Sequence, residues 1–287
     1  MVLSMTEFDL KQVFDQRREY YRSNLTLCQN QFSEKGVHDL RTSIRRLLAA
    51  IEIFQNLDPK LRCRKLTRML KNQLDSFDRL RDTQVMLIEI SAHVIEFPDL
   101  KRFKEFLSLK EKDLLDRSNS KIKKFHLDDF DSLADRLLNK ISEYPETGLT
   151  ESLIELTDNV YSGVLKKYKE IDPARPLSIH KMRIAFKKFR YTVECIQPIL
   201  FDFPEDLLKR MQNYQTLMGN IQDAIVMDEE IKKFYRRDTS LDNRDLINFF
   251  QERFLIANQK FLSGIRELDK FWRLSASEEF SWRSKEK

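Results

Sequence analysis

Apolar residues recur every three or four positions along almost the whole chain, and this spacing is typical of amphipathic α-helices. Only five glycines and seven prolines interrupt the 287 residues, so the pattern leaves little room for β-hairpins. The predicted fold class is therefore all-α with long helices. The helices are predicted near residues 5–33, 37–56, 60–95, 99–125, 128–143, 149–170, 178–200, 204–236 and 242–270.

The chain also contains a tandem repeat. The segment VHDLRTSIRRLLAAIE, which begins at Val37, returns 142 residues later as IHKMRIAFKKFRYTVE from Ile179. Downstream, LKNQLDSFDRLRDTQVM from Leu70 matches MQNYQTLMGNIQDAIVM from Met211 at a spacing of 141. A period this long is outside the range of solenoid repeats. It predicts two helical-bundle lobes in a pseudo-twofold arrangement, over residues 1–145 and 146–287, with the boundary near 144–148.

The repeat keeps charged positions as well as apolar ones. The matched pairs are His38 with His180, Arg41 with Arg183, Arg45 with Lys187, Arg46 with Lys188, and Glu52 with Glu194. On a helix at 100° per residue, the first three residues of each copy fall within about 60° of one another. They form a cationic row opposite the apolar face, which comprises Leu40, Ile44, Leu47 and Ile51 in one copy and Met182, Phe186, Phe189 and Val193 in the other. Arg46 and Lys188 lie on the flank, and the two glutamates are expected to pair with neighbouring cations.

Positive charge is concentrated around these two rows. Residues 36–71 carry nine Lys and Arg against three acids, and residues 175–193 carry six against none. The whole chain has a net charge of only +5, so the remainder is acidic. Like charges three or four residues apart destabilise a helix, and a row that recurs in both halves suggests a compensating anionic ligand. The alternative is that each row is simply the solvated face of an amphipathic helix.

Three cysteines without CxxC spacing favour a reducing compartment and small buried side chains. The N-terminal stretch has no signal-peptide pattern, and no apolar run approaches the roughly 18 residues of a membrane span. We therefore expect a cytoplasmic protein.

The pattern H-x-x-R-x-x-x-R-R at 38–46, its partner H-x-x-R-x-x-x-K-K at 180–188, and the LRD and IQD turns at 80–82 and 221–223 resemble the CHAD family, the conserved histidine α-helical domain. The resemblance covers nearly the whole chain, so that the two lobes together would form one CHAD domain. It implies an all-helical fold of two four-helix halves and a non-catalytic module that binds inorganic polyphosphate, in some members at polyphosphate granules. Two positions depart from the family pattern: Asp78 replaces the glycine present as Gly219, and Gln222 stands where the first half has Arg81.

Polyphosphate also suits the residues on physical grounds, because it is a flexible polyanion and the guanidinium fork of arginine binds phosphate oxygens bidentately. Protonation of histidine beside phosphate would make the affinity rise below neutral pH. We expect no cofactor, metal ligand or catalytic residue; the oligomeric state stays open. The predicted contacts are His38, Arg41, Arg45, His180, Arg183 and Lys187 in the first rank, and Arg46, Arg64, Arg68, Lys71, Lys188, Arg190 and Lys209 in the second.

Two other classes of function remain as alternatives. Basic helices and an isoelectric point near 8.9 also permit binding to nucleic-acid backbones, although the chain has no RNP-like motif or zinc finger. An enzyme is less well supported. His38-Asp39 resembles the HD phosphohydrolases only superficially, since the second copy reads His180-Lys181. No HExxH, P-loop, GxSxG or ExExK signature occurs. The absence of ExExK argues against a fused CYTH catalytic domain.

Overall fold

The structure is a computed structural model that describes residues 9–143, 147–236 and 244–283. Within these ranges the chain forms ten α-helices and two short 3₁₀ helices, without a β-strand. The first six helices are α1 (Leu10–Asn30), α2 (Glu34–Leu57), α3 (Arg64–Asp75), α4 (Asp78–His93), α5 (Leu100–Lys123) and α6 (Leu127–Ile141). The others are α7 (Leu149–Lys169), α8 (Pro176–Ile196), α9 (Leu207–Tyr235) and α10 (Arg244–Ser263), with 3₁₀ turns at Gln197–Ile199 and Ile265–Lys270.

The all-α prediction is confirmed, and two helix predictions are wrong. The helix predicted over 60–95 is two helices, and the one predicted to reach residue 270 ends at Ser263. The segments 80–82 and 221–223, interpreted as turns, lie inside α4 and α9. Two predicted helix starts, at residues 5 and 242, lie outside the described residues, as do residues 144–146 of the predicted boundary.

The break between α3 and α4 has neither proline nor glycine to mark it. The backbone N–H of Phe77 donates to the carbonyl of Leu74 at 3.1 Å, which tightens the turn to a three-residue step. The Ser76 hydroxyl donates to the Gln73 carbonyl at 2.7 Å. Nη1 of Arg41 also donates to the Leu74 carbonyl, at 3.2 Å. The break is therefore stabilised by a side chain from α2, a contact that local sequence does not encode.

The apolar faces predicted for the repeated helix are buried in both copies. Every one of their eight side chains is at most 1% exposed. In the main core they pack with Phe14 of α1, Tyr161 of α7 and Trp272 after α10. α1 packs against α2 and α7 against α8, while α2 and α8 contact each other. This burial fixes the rotation of α2 and α8, and so determines where their cationic rows point.

A second, smaller core joins α4, α5, α9 and α10. Its fully or nearly fully buried members include Ile90, Phe103, Met227 and Phe250. α4 and α9 contact each other here, and the start of α4 and the middle of α9 lie near the rows of α2 and α8. None of the described helices is long and apolar enough to cross a membrane.

Candidate anion-binding site

α2 and α8 bring four cationic side chains together at their contact. These are Arg41, Arg45, Arg183 and Lys187, called here the central cation cluster. Burial, followed by the charges of Arg45, Arg183 and Arg41, lowers the pKa of Lys187 to about 7, and Asp78 opposes this shift. Burial likewise lowers the pKa of Arg45 to about 10, with contributions from Arg41 and Arg183. Each member therefore lies in the positive field of the others.

Three members of the central cation cluster have no carboxylate partner. Arg45, Arg183 and Lys187 form no ion pair with any residue that the structure describes. The Nε atoms of Arg45 and Arg183 are enclosed without a hydrogen-bond acceptor. Buried polar groups are usually satisfied, and like charges in a partly buried place repel strongly. The mutual repulsion of these cations is not offset by an ion pair within the described part of the chain.

Arg41 differs from the other three. Its Nη2 lies 2.8 Å from Oδ1 of Asp78, and its Nη1 is bound by the Leu74 carbonyl. Only 6% of Arg41 is exposed. Its guanidinium is therefore already occupied by groups at the α3–α4 break.

Two carboxylates on α4 and α9 face the same region. Asp82 and Asp223 occupy equivalent places in the repeat, and both have a raised pKa. Partial desolvation of the carboxylate is the largest cause for each, although both residues are exposed to solvent. Asp78 raises the pKa of Asp82 further, and Asp82 does so for Asp223, while Arg41 and Arg183 oppose the respective shifts. The cation cluster therefore has a polar wall of mixed charge on one side.

The residues directly after Arg45 and Lys187 make reciprocal ion pairs between α2 and α8. Nε of Arg46 lies 2.5 Å from Oε1 of Glu194, although not aligned as a hydrogen bond. Nζ of Lys188 lies 2.7 Å from Oε1 of Glu52. The expectation that Glu52 and Glu194 pair with neighbouring cations is confirmed. These pairs link the two helices beside the central cation cluster.

Arg190 is buried away from solvent. Its Nε donates to Oε1 of Gln215 at 3.0 Å, and its Nη1 lies 3.4 Å from Oε2 of Glu194. Its guanidinium stacks on the Tyr191 ring at 4.2 Å from the centroid. These contacts leave Arg190 less able to bind a ligand than the members of the central cation cluster.

The remaining predicted residues lie outside the cluster. Arg64, Arg68 and Lys71 on α3 and Lys209 on α9 are exposed and without an ion pair in the described part of the chain. His38 is exposed at the start of the α2 row. His180 is half-buried, and its Nδ1 is enclosed without a hydrogen-bond partner.

Comparison with known proteins gives the family. The sequence profile described as the CHAD domain matches residues 12–232, more than three quarters of the chain. The chain belongs to the CHAD domain family. No curated protein sequence matches it.

The solved structures that resemble this one agree in fold. A CHAD domain from the plant Ricinus communis superposes with a TM-score of 0.66 at 14% sequence identity, over 92% of this chain and 91% of that one. PptA from Streptomyces chartreusis gives a TM-score of 0.66 at 14% identity, over 90% of this chain and 98% of that one. At this identity the likeness establishes the CHAD fold alone.

Sequence reasoning missed two cations near the centre of this CHAD domain. Arg81 on α4 lies 3.4 Å from Glu34 and is close enough to lower the pKa of Asp82 and Asp223. Arg17 on α1 donates from Nη2 to the Glu194 carbonyl at 3.2 Å, and its Nε is enclosed without a partner. Arg81 sits in the repeated segment, but its counterpart is Gln222, so the repeat did not single it out. No sequence signal indicated Arg17.

Among the described residues, no group of three or more His, Cys, Asp or Glu side chains is placed to hold a metal ion. All three cysteines are buried, and burial raises the pKa of each thiol to about 11.

Proposed function

We propose that this CHAD domain is a non-catalytic module that binds inorganic polyphosphate, with the central cation cluster as its primary contact. The observation that carries the proposal is the set of three neighbouring, partly buried cations that form no ion pair with a described residue. An anion placed among them would relieve their mutual repulsion and supply the missing hydrogen-bond acceptors. The lowered pKa of Lys187 supports this interpretation: burial is its largest cause, and the next is repulsion from Arg45, Arg183 and Arg41, which a bound anion would offset.

The chemistry of the cluster suits phosphate in particular. Two unpaired guanidinium groups can each give two parallel hydrogen bonds to phosphate oxygens. Lys187 adds a compact charge whose direction is less restricted. Because the cluster would contact only negatively charged oxygens, its ligand does not have to contain a base or a sugar. A chain of phosphates would also extend beyond the cluster and gain contacts with cations outside it.

Membership of the family supports the same ligand, since some CHAD domains bind polyphosphate. We propose that both halves, residues 1–145 and 146–287, contribute one row each to a single site. The reciprocal pairs Arg46–Glu194 and Lys188–Glu52 support a pseudo-twofold relation between the rows.

The outer residues have a secondary role in this proposal. His38, Arg64, Arg68, Lys71 and Lys209 would contact phosphates that extend past the centre, since they are exposed and lack an ion pair with described residues. Arg46, Lys188 and Arg190 would mainly hold α2, α8 and α9 in place. His180 would accept or donate a hydrogen bond at the start of its row. We also propose a cytoplasmic location with access to polyphosphate granules, and neither a cofactor nor a membrane partner.

Charge reversal at Arg183, one of the two unpaired arginines, tests the site. Arg183→Glu should abolish polyphosphate binding in a fluorescence or calorimetric titration, because it places a negative charge among the remaining cations. Arg136→Glu is the matched control, since Arg136 is exposed on α6 without an ion pair among the described residues. Circular dichroism should show equal helicity in both variants. Unimpaired binding by Arg183→Glu would contradict the proposed site.

Nucleic-acid backbone binding remains the second candidate, because Arg64, Arg68 and Lys71 form an exposed cationic row on α3. An RNA ligand held only by such exposed cations should be released by moderate salt. Arg183→Glu should reduce the affinity for RNA no more than Arg136→Glu does. The same pair of variants therefore separates the two functions.

A further inference from the structure

The two halves of the site differ at one position. Asp78 at the start of α4 and Gly219 within α9 occupy equivalent places, 141 residues apart in the repeat. Each lies beside the arginine of its own row, Arg41 or Arg183. The repeat therefore places a carboxylate beside one arginine and no side chain beside the other.

In the second half, the Arg183 guanidinium lies against the bare backbone of Gly219. A β-carbon at Gly219 would be 3.7 Å from Nε and 3.8 Å from Nη2 of Arg183. Gly219 itself is buried, and Nε of Arg183 has no acceptor. This arginine has hydrogen-bonding capacity that no residue of the described chain uses.

In the first half, the equivalent guanidinium is in an ion pair, since Oδ1 of Asp78 lies 2.8 Å from Nη2 of Arg41. The partners differ in their freedom to move. The Arg41 side chain is 7% exposed and is also bound to the Leu74 carbonyl, whereas the Asp78 side chain is 53% exposed. Asp78 can therefore rotate into solvent while Arg41 stays in place.

We propose that Asp78 is a built-in competitor that occupies Arg41 until a phosphate group displaces it. This inference rests on the proposed function and adds an order of contact. The anion is first held by Arg183, Lys187 and Arg45, which form no ion pair with a described residue, although the charge of Asp78 also reaches Lys187 and Arg45. Arg41 joins only when a second phosphate of the same chain replaces the Asp78 carboxylate. Asp78 thus favours chains of phosphates over single anions, because in a chain the second phosphate is tethered to the first and its effective concentration at Arg41 is high.

Opposite substitutions at the two equivalent positions test the proposal. Asp78→Asn keeps the shape of the side chain and removes the competing charge, so long-chain polyphosphate should bind about tenfold more tightly. Gly219→Asp places a carboxylate beside Arg183, where the available space allows a β-carbon in ordinary contact. It should bind about tenfold more weakly than Gly219→Asn, which has the same size without the charge.

Two controls isolate the competition from general charge. Asp75→Asn removes an equal charge from an exposed residue of α3 that has no ion pair with described residues, and it should change the affinity about twofold or less. The gain from Asp78→Asn should fall to that of Asp75→Asn in an Arg41→Gln background, because only the weaker influence of Asp78 on Arg45 and Lys187 then remains. Thermal unfolding would confirm that each variant folds. If Asp78→Asn does not fold, the comparison of Gly219→Asp with Gly219→Asn still tests the competitor role.

The outcomes separate the two levels of the account. If the wild-type chain does not bind polyphosphate, the proposed function fails, and the competitor role fails with it. If wild type binds but Asp78→Asn behaves like Asp75→Asn, or Gly219→Asp like Gly219→Asn, only the competitor role is overturned. Tighter binding by Asp78→Asn that depends on Arg41 supports both.

Discussion

Arg45 and Lys187 differ sharply from the residues that follow them, Arg46 and Lys188. The first two lie in the central cation cluster without a carboxylate partner among the described residues, and both have a lowered pKa. The second two reach across to glutamates on the opposite helix. A step of one residue turns a helix by about 100°, and that rotation separates a candidate ligand contact from a structural ion pair. Charge type alone therefore does not identify the role of a cation.

The largest expected effect on polyphosphate affinity comes from removing the two unpaired cations while keeping the ion-paired ones. Arg45→Gln with Lys187→Gln should weaken polyphosphate binding about 100-fold or more, because each charge-assisted hydrogen bond contributes about 1.5–3 kcal/mol. Isothermal titration calorimetry at fixed salt would measure this loss.

The control double variant is Arg46→Gln with Lys188→Gln, which removes the same net charge from the next positions. It should retain affinity to within a fewfold factor, since the buried apolar faces keep α2 and α8 packed without these two ion pairs and the general electrostatic attraction falls only slightly. Equal losses in the two double variants would abolish the distinction between unpaired and paired cations.

A smaller effect is expected from pH. Because the pKa of Lys187 is about 7, an anion that binds its protonated form should bind about tenfold more tightly at pH 6 than at pH 8. Long-chain polyphosphate is the suitable ligand, since its internal phosphates stay ionised over this range. Lys187→Arg should flatten the profile, because arginine keeps its charge. A profile that stays equally steep in Lys187→Arg would show that the dependence does not come from Lys187.

The stability of the ligand-free protein should rise with pH, whereas its affinity for polyphosphate should fall. From pH 7 to 10.5 the unfolded chain retains a proton on Lys187 that the folded chain has lost, so this residue makes the free energy of unfolding rise with pH. Below pH 7 the full repulsion remains. Lys187→Met should therefore stabilise the protein by about 1–2 kcal/mol at pH 6 and by less at pH 9.

Lys188→Met provides the comparison for that experiment. Its ion pair is partly exposed, so its loss should cost about 0–1 kcal/mol with little pH dependence. Urea denaturation at the two pH values measures both variants. Destabilisation by Lys187→Met at pH 6 would show that the cluster is not under electrostatic strain.

The smallest effect is expected on α3. Replacing Arg64, Arg68 and Lys71 together by Gln should weaken polyphosphate binding only about three- to tenfold and reduce its salt dependence. A loss as large as that of Arg45→Gln with Lys187→Gln would move the primary contact to α3 and favour the nucleic-acid interpretation.

The helical fold and the two rows could be predicted because they depend on local periodicity. The faces around Ile44 and Phe186 are buried as predicted, and their burial orients the opposite faces. The pairing of Arg46 with Glu194 was beyond the sequence, because the two residues meet only after α2 and α8 pack. The break at Ser76-Phe77 was missed for a related reason, since it involves the Arg41 contact to Leu74. The departure at Asp78 was visible in the sequence, but its contact with Arg41 was not.

The most direct test of the central claim is a titration of the wild-type chain with long-chain polyphosphate across increasing salt, beside single-stranded RNA and duplex DNA of matched charge. The account predicts polyphosphate binding that persists at salt concentrations where both nucleic acids dissociate, because partly buried unpaired cations are screened less than exposed ones. Equal and equally salt-sensitive binding of all three polymers would contradict a shaped polyphosphate site and leave only a general affinity for polyanions.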